Sequence, residues 1–530
     1  MSFSESLKSA LSNEVGITEN GAVGFANASS EILTMNFMLS SLRNESDDDI
    51  SKRFSKVFFE NPNYAVKFLF FVGDIRGGCG ERRTFRICFD WLVDNKTDVA
   101  KRVLRFIPEY TRWDNLVRLI GSKVGEDVVK IVAEQLRKDI SDMKGGKSVS
   151  LLAKWMPSAN TSSSVTKALA RKWIAALGIS PAAYRKMLAR LRSHIDVVEV
   201  KMSSRKFSDI NYETVPSRAN LLYKDAFMRR DGERRSAYLE SVKSGEAKIN
   251  ASEAVFPHDI LHKMYSQKEY VAWNKGTFKD DPTVEAMWNA LPNKLKDGDG
   301  GVMCVVDSSG SMTSTIGGTN VSAWEVAHAL GFYFAQHCNG DFKDKYITFS
   351  SKPEFVDMTN CKTLKDRLTL AESKSLYDNT NIEAVFDLVL TTAVRNGMKQ
   401  SEIPSTILIF SDCEFDAQCY APSVCDDNHS NYGKYWDANG NTLFDAISKK
   451  FEGHGYHMPK LVFWNLCSRS GTVPLQQSAY GLVLISGFSA NNVDMVMENE
   501  LNPYKVLAKK LDSDRYKPIA EVVGNIVENA

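Results

Sequence analysis

A change of hydrophobic period near residue 296 constrains this chain more than any other feature. Before it, apolar residues recur at i, i+3 and i+4. The pattern runs through "NYAVKFLFFVGDIRG" (63–77), "RTFRICFDWLVDN" (83–95), "DVVKIVAEQLRKDISDM" (127–143), "SSVTKALARKWIAAL" (163–177) and "PAAYRKMLARLRSHIDVVEVKM" (181–202). That spacing predicts amphipathic helices, and Pro181 stands where a first helical turn tolerates proline. No convincing strand interrupts the series and no exact repeat emerges. Successive helices with short loops predict an irregular, HEAT-like helical repeat array.

After the turn-rich "KDGDGG" (296–301) the pattern alternates. Apolar runs "VMCVVD" (302–307), "YITFS" (346–350), "EFVDM" (354–358), "STILIFSD" (405–412), "KLVFWNL" (460–466) and "GLVLISGF" (481–488) are separated by helical stretches near 322–338, 363–372, 381–396 and 442–452. Continuous apolar strands covered by helices predict a doubly wound α/β domain with a mostly parallel sheet. Two further helices are expected around Pro503. The reading is therefore a helical domain over 1–295 and an α/β domain over 296–530, consistent with a length of 530 residues, too great for one core.

Net charge divides along the same line. Residues 1–250 hold 41 Lys+Arg against 30 Asp+Glu, and residues 251–530 hold 25 against 35. A basic half joined to an acidic half predicts two different tasks. "MSFSESLKSALSNEV" lacks the apolar core of a secretory signal, and "FLFFVG" is far too short to span a bilayer. With nine cysteines showing no paired framework, a reduced, cytoplasmic setting is expected.

The first strand of the α/β half ends in "DSSGS" (307–311). Open α/β sheets bind ligands beyond the carboxyl ends of their strands. Two other oxygen-rich loops, "DNTN" (378–381) and "SDCEFD" (411–416), fall at comparable positions. Asp307, Ser309, Ser311, Thr380 and Asp412 are thus expected to converge. Carboxylates and hydroxyls are hard ligands that suit Mg²⁺ first, then Mn²⁺ or Ca²⁺, and leave the shell underfilled. The competing reading is a turn whose side chains merely cap the next segment.

These residues resemble the metal-ion-dependent adhesion site of von Willebrand factor A domains. The resemblance implies a divalent cation whose shell an acidic group of a partner protein completes, in a site that binds and does not hydrolyse. The strings "FFVGDIRGGCGERRTFR" (70–86), "PEYTRWDNLVRL" (108–119), "LLAKWMPSANTSS" (151–163), "FSDINYETVPS" (207–217) and "NTNIEAVFDLVL" (379–390) resemble an uncharacterised domain-of-unknown-function group found in plants, fungi, bacteria and viruses. So do "YRKMLARLRSHIDVVEVKMS" (184–203), "SDCEFD" and "LVFWNL" (461–466). Its architecture is similar to the Ro autoantigen, a TROVE-like ring of helical repeats closed by a von Willebrand A domain. That similarity implies a monomer binding small non-coding or single-stranded RNA, with no enzymatic turnover.

The chemistry of the first half agrees. Lys154, Lys167, Arg171, Lys172, Arg185, Lys186, Arg190 and Arg192 crowd into one stretch, and Arg76, Arg82 and Arg83 surround the Gly-rich "GGCG". Such residues neutralise phosphates with little demand on sequence. Trp113, Trp155 and Trp173 are candidates for base stacking or for core packing. "GGCG" reads as a phosphate cradle or as a plain helix–helix turn.

Other signals are weaker. Cys413, Cys419, Cys425 and His429 lie in a long connection, 412–441, without close-paired zinc spacing. Cys467 with Arg469 has no evident general base. His258 and His262 lack a third ligand. Two alternatives to RNA binding stand: a cation-dependent protein adaptor, and a metal-dependent hydrolase or nuclease using Asp307 and Asp412, with Glu414 and Asp416 nearby. The second has few carboxylates for a two-metal centre.

Overall fold

The computed structural model describes residues 15–17, 23–25, 27–251, 255–265, 278–295, 301–378, 380–414, 443–475, 478 and 480–524. They fall into two compact units that do not follow the chain in order. One groups Met1–Asp49 with Ala251–Asp512, and the other Ile50–Asn250 with Ser513–Ala530.

The second unit is helical. Pro62–Gly73, Ser164–Ala176 and Pro181–His194 each begin at an Asn or Ser whose side chain accepts a backbone N–H of the first turn. The helix expected over 181–202 breaks. It ends at His194, Asp196 takes φ 55°, and Val198–Ser203 resumes. Ile195 and Val197 flank that left-handed residue, and their β-branched side chains do little to hold a helix through it. A long helix, Ser217–Ser244, departs from helical geometry at Asp231, whose carboxylate accepts the Tyr212 hydroxyl at 2.8 Å. Its apolar stripe is interrupted by the fully buried Arg235, whose guanidinium lies 4.8 Å from the Tyr212 ring centroid and 5.2 Å from that of Tyr238. That interruption hides the helix from a periodicity reading.

"GGCG" is a turn folded onto the preceding helix. The amides of Cys79, Gly80 and Glu81 donate to the carbonyls of Phe71, Asp74 and Val72. A Cβ on Gly78 would stand 2.1 Å from the Phe71 carbonyl oxygen. Those three amides are spent within the turn, which favours the plain helix–helix turn over a phosphate cradle. Buried Asp74 accepts from Arg515 and from the Tyr516 hydroxyl, which ties residues 513–524 into this unit.

The first unit is α/β. Strands β1 (Val15–Ile17) and β2 (Val23–Phe25) form a small antiparallel pair, a departure from the strand-free first half that periodicity predicts. Three-residue strands are too short to show a period. Six more strands make one sheet: β3 (Val302–Asp307), β4 (Lys345–Phe349), β5 (Phe355–Asp357), β6 (Thr406–Ser411), β7 (Lys460–Asn465) and β8 (Leu482–Ser486). The order is β5-β4-β3-β6-β7-β8, with β5 antiparallel at the edge and all other pairs parallel. Every residue of β3, β6 and β8 is buried, as in a sheet covered on both faces. The helix Ala323–His337 packs on β3 so closely that a Cβ on Gly331 would meet Val306 at 2.5 Å.

Residues before 50 finish this unit. In the segment around helix Glu31–Phe37, the Asn36 amide donates to the Leu484 carbonyl at 3.1 Å. The Ser40 amide donates to Ser486 Oγ at 2.9 Å, and Asn465 donates to the Phe37 carbonyl at 2.8 Å. No helix among the described residues is long and apolar enough to cross a membrane.

Candidate functional site

Strand order reverses between β3 and β6, because β3 is followed by β4 on one side and β6 lies on its other side. A crevice outside the carboxyl ends of these two strands is where an open α/β sheet receives a ligand. Asp307 ends β3, and Asp412 follows the last residue of β6. Both are buried, as are Ser308, Ser309 and Thr380.

The motif is knit together locally. The Ser309 amide donates to Asp307 Oδ1 at 2.9 Å, and the hydroxyls of Ser309 and Ser311 lie 2.9 Å apart. From the neighbouring strand, Ser411 donates its hydroxyl to Asp307 Oδ2 at 2.5 Å. Burial pushes both carboxyls above the usual carboxylate range. The charge of Asp412 raises Asp307 further, while hydrogen bonds from Ser411 and Ser309 hold it down. For Asp412, Ser311 and Arg469 oppose the effect of burial. Thus Asp307, Ser309, Ser311 and Asp412 come together. Thr380 lies in the adjoining loop, where the Tyr377 carbonyl stands 3.3 Å from the place of a Cβ on Gly310.

Two of the loops are strained at non-glycine residues: Tyr377 has φ 53° and Cys413 has φ 59°. Left-handed backbone at such residues costs on the order of 1–3 kcal/mol and clusters where geometry must be held. The turn at Cys413 sends Asp412 and Glu414 to separate partners. Arg469 donates to Asp412 Oδ2 at 3.3 Å. Glu414 Oε1 accepts from the amides of Arg469 at 2.6 Å and Ser470 at 2.7 Å. It also accepts from the hydroxyls of Ser468 at 3.0 Å and Ser470 at 2.9 Å. The loop after β7 therefore grips Glu414 as an anion is gripped by a nest of amides. Sequence reasoning missed this role for Ser468–Ser470 and the support from Ser411. The alternation of serine with "SDCE" is the faint signal of the latter.

Among the described residues no three of His, Cys, Asp and Glu gather as a metal cluster. The candidate set is of a different kind, two buried carboxylates with hydroxyl oxygens, and its chemistry fits a hard divalent cation with open positions. Cys419, Cys425, His429 and Asp416 lie outside the described residues. Cys467 is buried, and burial raises its thiol, which argues against a nucleophile. His258 is buried in its helix, whereas His262 binds the buried Glu325 at 2.7 Å and Asn320 at 3.0 Å, so the two histidines form no ligand pair.

The basic residues of the helical unit separate into three groups. Lys167 is half-buried, and Arg171, Lys172, Arg185, Lys186 and Arg190 are exposed on helices Ser164–Ala176 and Pro181–His194. None of the six pairs with an acidic group among the described residues. Arg76, Arg82, Arg83 and Lys154 are exposed too, but Lys154 lies 3.7 Å from Glu199, Arg82 pairs with Asp114, and Arg76 reaches the Glu109 carbonyl at 3.5 Å. Arg192 is a structural clamp, donating to the carbonyls of Ala153 and Met156 at 2.8 Å each and to Ser158 Oγ at 3.0 Å. Trp173 is core, its indole N–H bonded to the Val117 carbonyl at 3.1 Å, so it stacks on no base. Trp113 and Trp155 are half-buried.

Comparison with known proteins returns uncharacterised relatives. A family model described as Domain of unknown function (DUF7788) matches residues 301–520. Another, Domain of unknown function (DUF2828), matches residues 124–300. The two meet where the hydrophobic period changes. The chain is 28% identical over 545 residues to uncharacterized protein L728 of Acanthamoeba polyphaga mimivirus, covering 95% of this chain and 88% of that protein.

Proposed function

We propose that this chain is an RNA-binding protein that acts by binding, not by turnover. Its helical unit takes small or single-stranded RNA. Its α/β unit is a von Willebrand A-like module that holds a divalent cation, Mg²⁺ foremost. The observation that carries the RNA reading is the set of six basic side chains on two successive helices with no acidic partner among the described residues. A solvated basic face usually carries interspersed acids, and between residues 154 and 195 this chain has none. Unpaired cations on neighbouring helices suit a phosphate backbone.

The cation reading is supported by the four oxygen-bearing residues gathered at the sheet's reversal point. Asp307, Ser309, Ser311 and Asp412 would hold the ion, with Thr380 beside them. The cation would supply a positive centre whose remaining positions an acidic group of a partner completes. Glu414 is engaged by Ser468–Ser470, which leaves a two-metal hydrolytic arrangement short of carboxylates.

The test is purification at low salt, followed by the absorbance ratio at 260 and 280 nm and RNase treatment. Co-purifying RNA that salt strips away, and that is lost when Arg185, Lys186 and Arg190 are changed to Glu, is the expected result. A nucleic-acid-free protein that also ignores added RNA would overturn the RNA reading and leave a cation-dependent adaptor.

A further inference from the structure

We infer that Arg82, Arg86, Arg112 and Arg118, gathered on Asp114 and Asp90, form a phosphate-binding site that takes a phosphate of the bound RNA. The inference rests on the RNA reading above and names a contact point for it outside the exposed helices.

The site is assembled from two stretches. Arg82, Arg86 and Asp90 follow at intervals of four on helix Arg82–Asn95, so they share one face. Arg112, Asp114, Asn115 and Arg118 come from the short helices around Trp113–Gly121. Asp114 Oδ2 accepts from three guanidinium groups: Arg82, Arg86 at 3.0 Å and Arg112 at 2.9 Å. Its Oδ1 accepts Arg112 Nε at 3.0 Å, and Asn115 orients Arg86 through Nε at 2.7 Å. Arg118 grips Asp90 with both terminal nitrogens, at 2.9 and 2.8 Å, and reaches the Arg86 carbonyl at 3.1 Å.

Four cations thus share two carboxylates. An ion-pair network built for stability alone pairs its charges, whereas here one carboxylate serves three guanidinia. Asp114 is 18% exposed and the three arginines on it between 29% and 48%, so the charges are only partly screened by water. Burial and then the neighbouring charge of Arg82 lower Arg86 to about 10, a sign of like-charge crowding. A further anion relieves that crowding. Guanidinium forks fixed by a central carboxylate are also preorganised to offer their remaining N–H groups to phosphate oxygens. Arg112 lies 4.3 Å over the ring of Trp155, a half-buried indole beside the cluster against which a base can stack.

The test uses the full chain. Affinity for a labelled single-stranded RNA is measured by fluorescence anisotropy across salt, and pyrophosphate is titrated separately by thermal shift. The Arg82→Gln/Arg86→Gln variant should bind RNA at least tenfold more weakly. Its slope of log affinity against log salt should be shallower by about one to two. Asp114→Asn should bind RNA more tightly while melting lower, a pairing that a purely structural network does not produce. If the double variant fails to fold, Arg82→Gln alone replaces it, since that side chain makes one ion pair at the surface. RNA affinity that is equal in wild type and variant overturns the site and leaves the RNA reading standing. Wild type that ignores RNA but is protected by pyrophosphate, with the protection lost in the variant, overturns the RNA reading and keeps an anion site for free phosphate compounds. Protection by neither ligand overturns both.

Discussion

In the α/β unit two buried carboxylates, Asp307 and Asp412, face each other among hydroxyl groups, with the guanidinium of Arg469 reaching one of them. In the helical unit four guanidinia crowd onto Asp114 and Asp90. One region has a surplus of buried negative charge at strand ends, the other a surplus of half-exposed positive charge on helices. The difference lies in how each is held. The carboxylates are locked by strands, by strained turns at Tyr377 and Cys413, and by the grip of Ser468–Ser470 on Glu414. The arginines are long side chains held mainly by one another's shared carboxylate. Surplus charge without a matching partner is the trait both have in common, and ligands of opposite sign follow from it.

The sharpest way to test that distinction is to remove a charge that is matched. Asp74 is buried and engaged by Arg515 and Tyr516. Asp74→Ala should destabilise the helical unit by about 1–3 kcal/mol, because it leaves the buried Tyr516 hydroxyl without its acceptor and strands a guanidinium that water only partly screens. Urea denaturation followed by circular dichroism measures it. Asp307→Asn should behave in the opposite way. Without added metal its melting temperature should equal or exceed that of wild type, since one member of a repelling buried pair is gone. Mg²⁺ affinity by calorimetry should fall by more than about a hundredfold, as expected when a ligand is lost outright instead of a supporting group. Unchanged Mg²⁺ binding would refute the cation site.

Acid should act on the α/β unit through two opposing sets of groups. His328 is buried against Trp324, and burial lowers it to about 3, while burial also lowers His258. Their unfolded counterparts titrate near 6.5. Between those values the unfolded chain takes up protons that the folded one refuses. These histidines therefore cost the α/β unit stability as pH drops through that window, while Asp307 and Asp412, whose carboxyls burial raises, take up protons in the folded state and offset that loss. For His328 the slope is about 1.4 kcal/mol per pH unit. The single histidine of the helical unit, His194, is exposed. Urea denaturation from pH 7 to pH 5 should show His328→Gln gaining stability relative to wild type as pH falls, whereas Asp307→Asn should lose stability relative to wild type over the same range.

The smallest effect is expected at Arg469. Its guanidinium neutralises part of the charge on Asp412 from 3.3 Å, so it competes with a cation for that carboxylate. Arg469→Gln should tighten Mg²⁺ binding by about fivefold, a coupling near 1 kcal/mol. Weaker binding in that variant would mean that Arg469 supports the site instead of opposing it.

Much of the α/β unit was readable beforehand. All six strands of the large sheet fall within two residues of the apolar runs, because a strand buried on both faces leaves an unbroken apolar signature. The helical unit was harder. The break at Asp196 and the long helix over Ser217–Ser244 escaped notice, the second because buried Arg235 and Asn220 interrupt its apolar stripe. Arg192 looked like its neighbours in sequence. Its role as a backbone clamp depends on carbonyls 36 and 39 positions away.

What the sequence determined by itself is local. The strands of the large sheet and most of the amphipathic helices follow from periodicity, and the turn at Asp307–Ser311 follows from alternating short oxygen-bearing side chains within one strand end. Only the tertiary structure brought Ser411 to Asp307 across 104 positions with Asp412 beside it, attached the segment around Asn36–Ser40 to the sheet, and gave three arginines a single carboxylate. Periodicity reports on neighbours along the chain. Burial, charge crowding and pairing depend on distance through space, and the chain sets those distances only by folding.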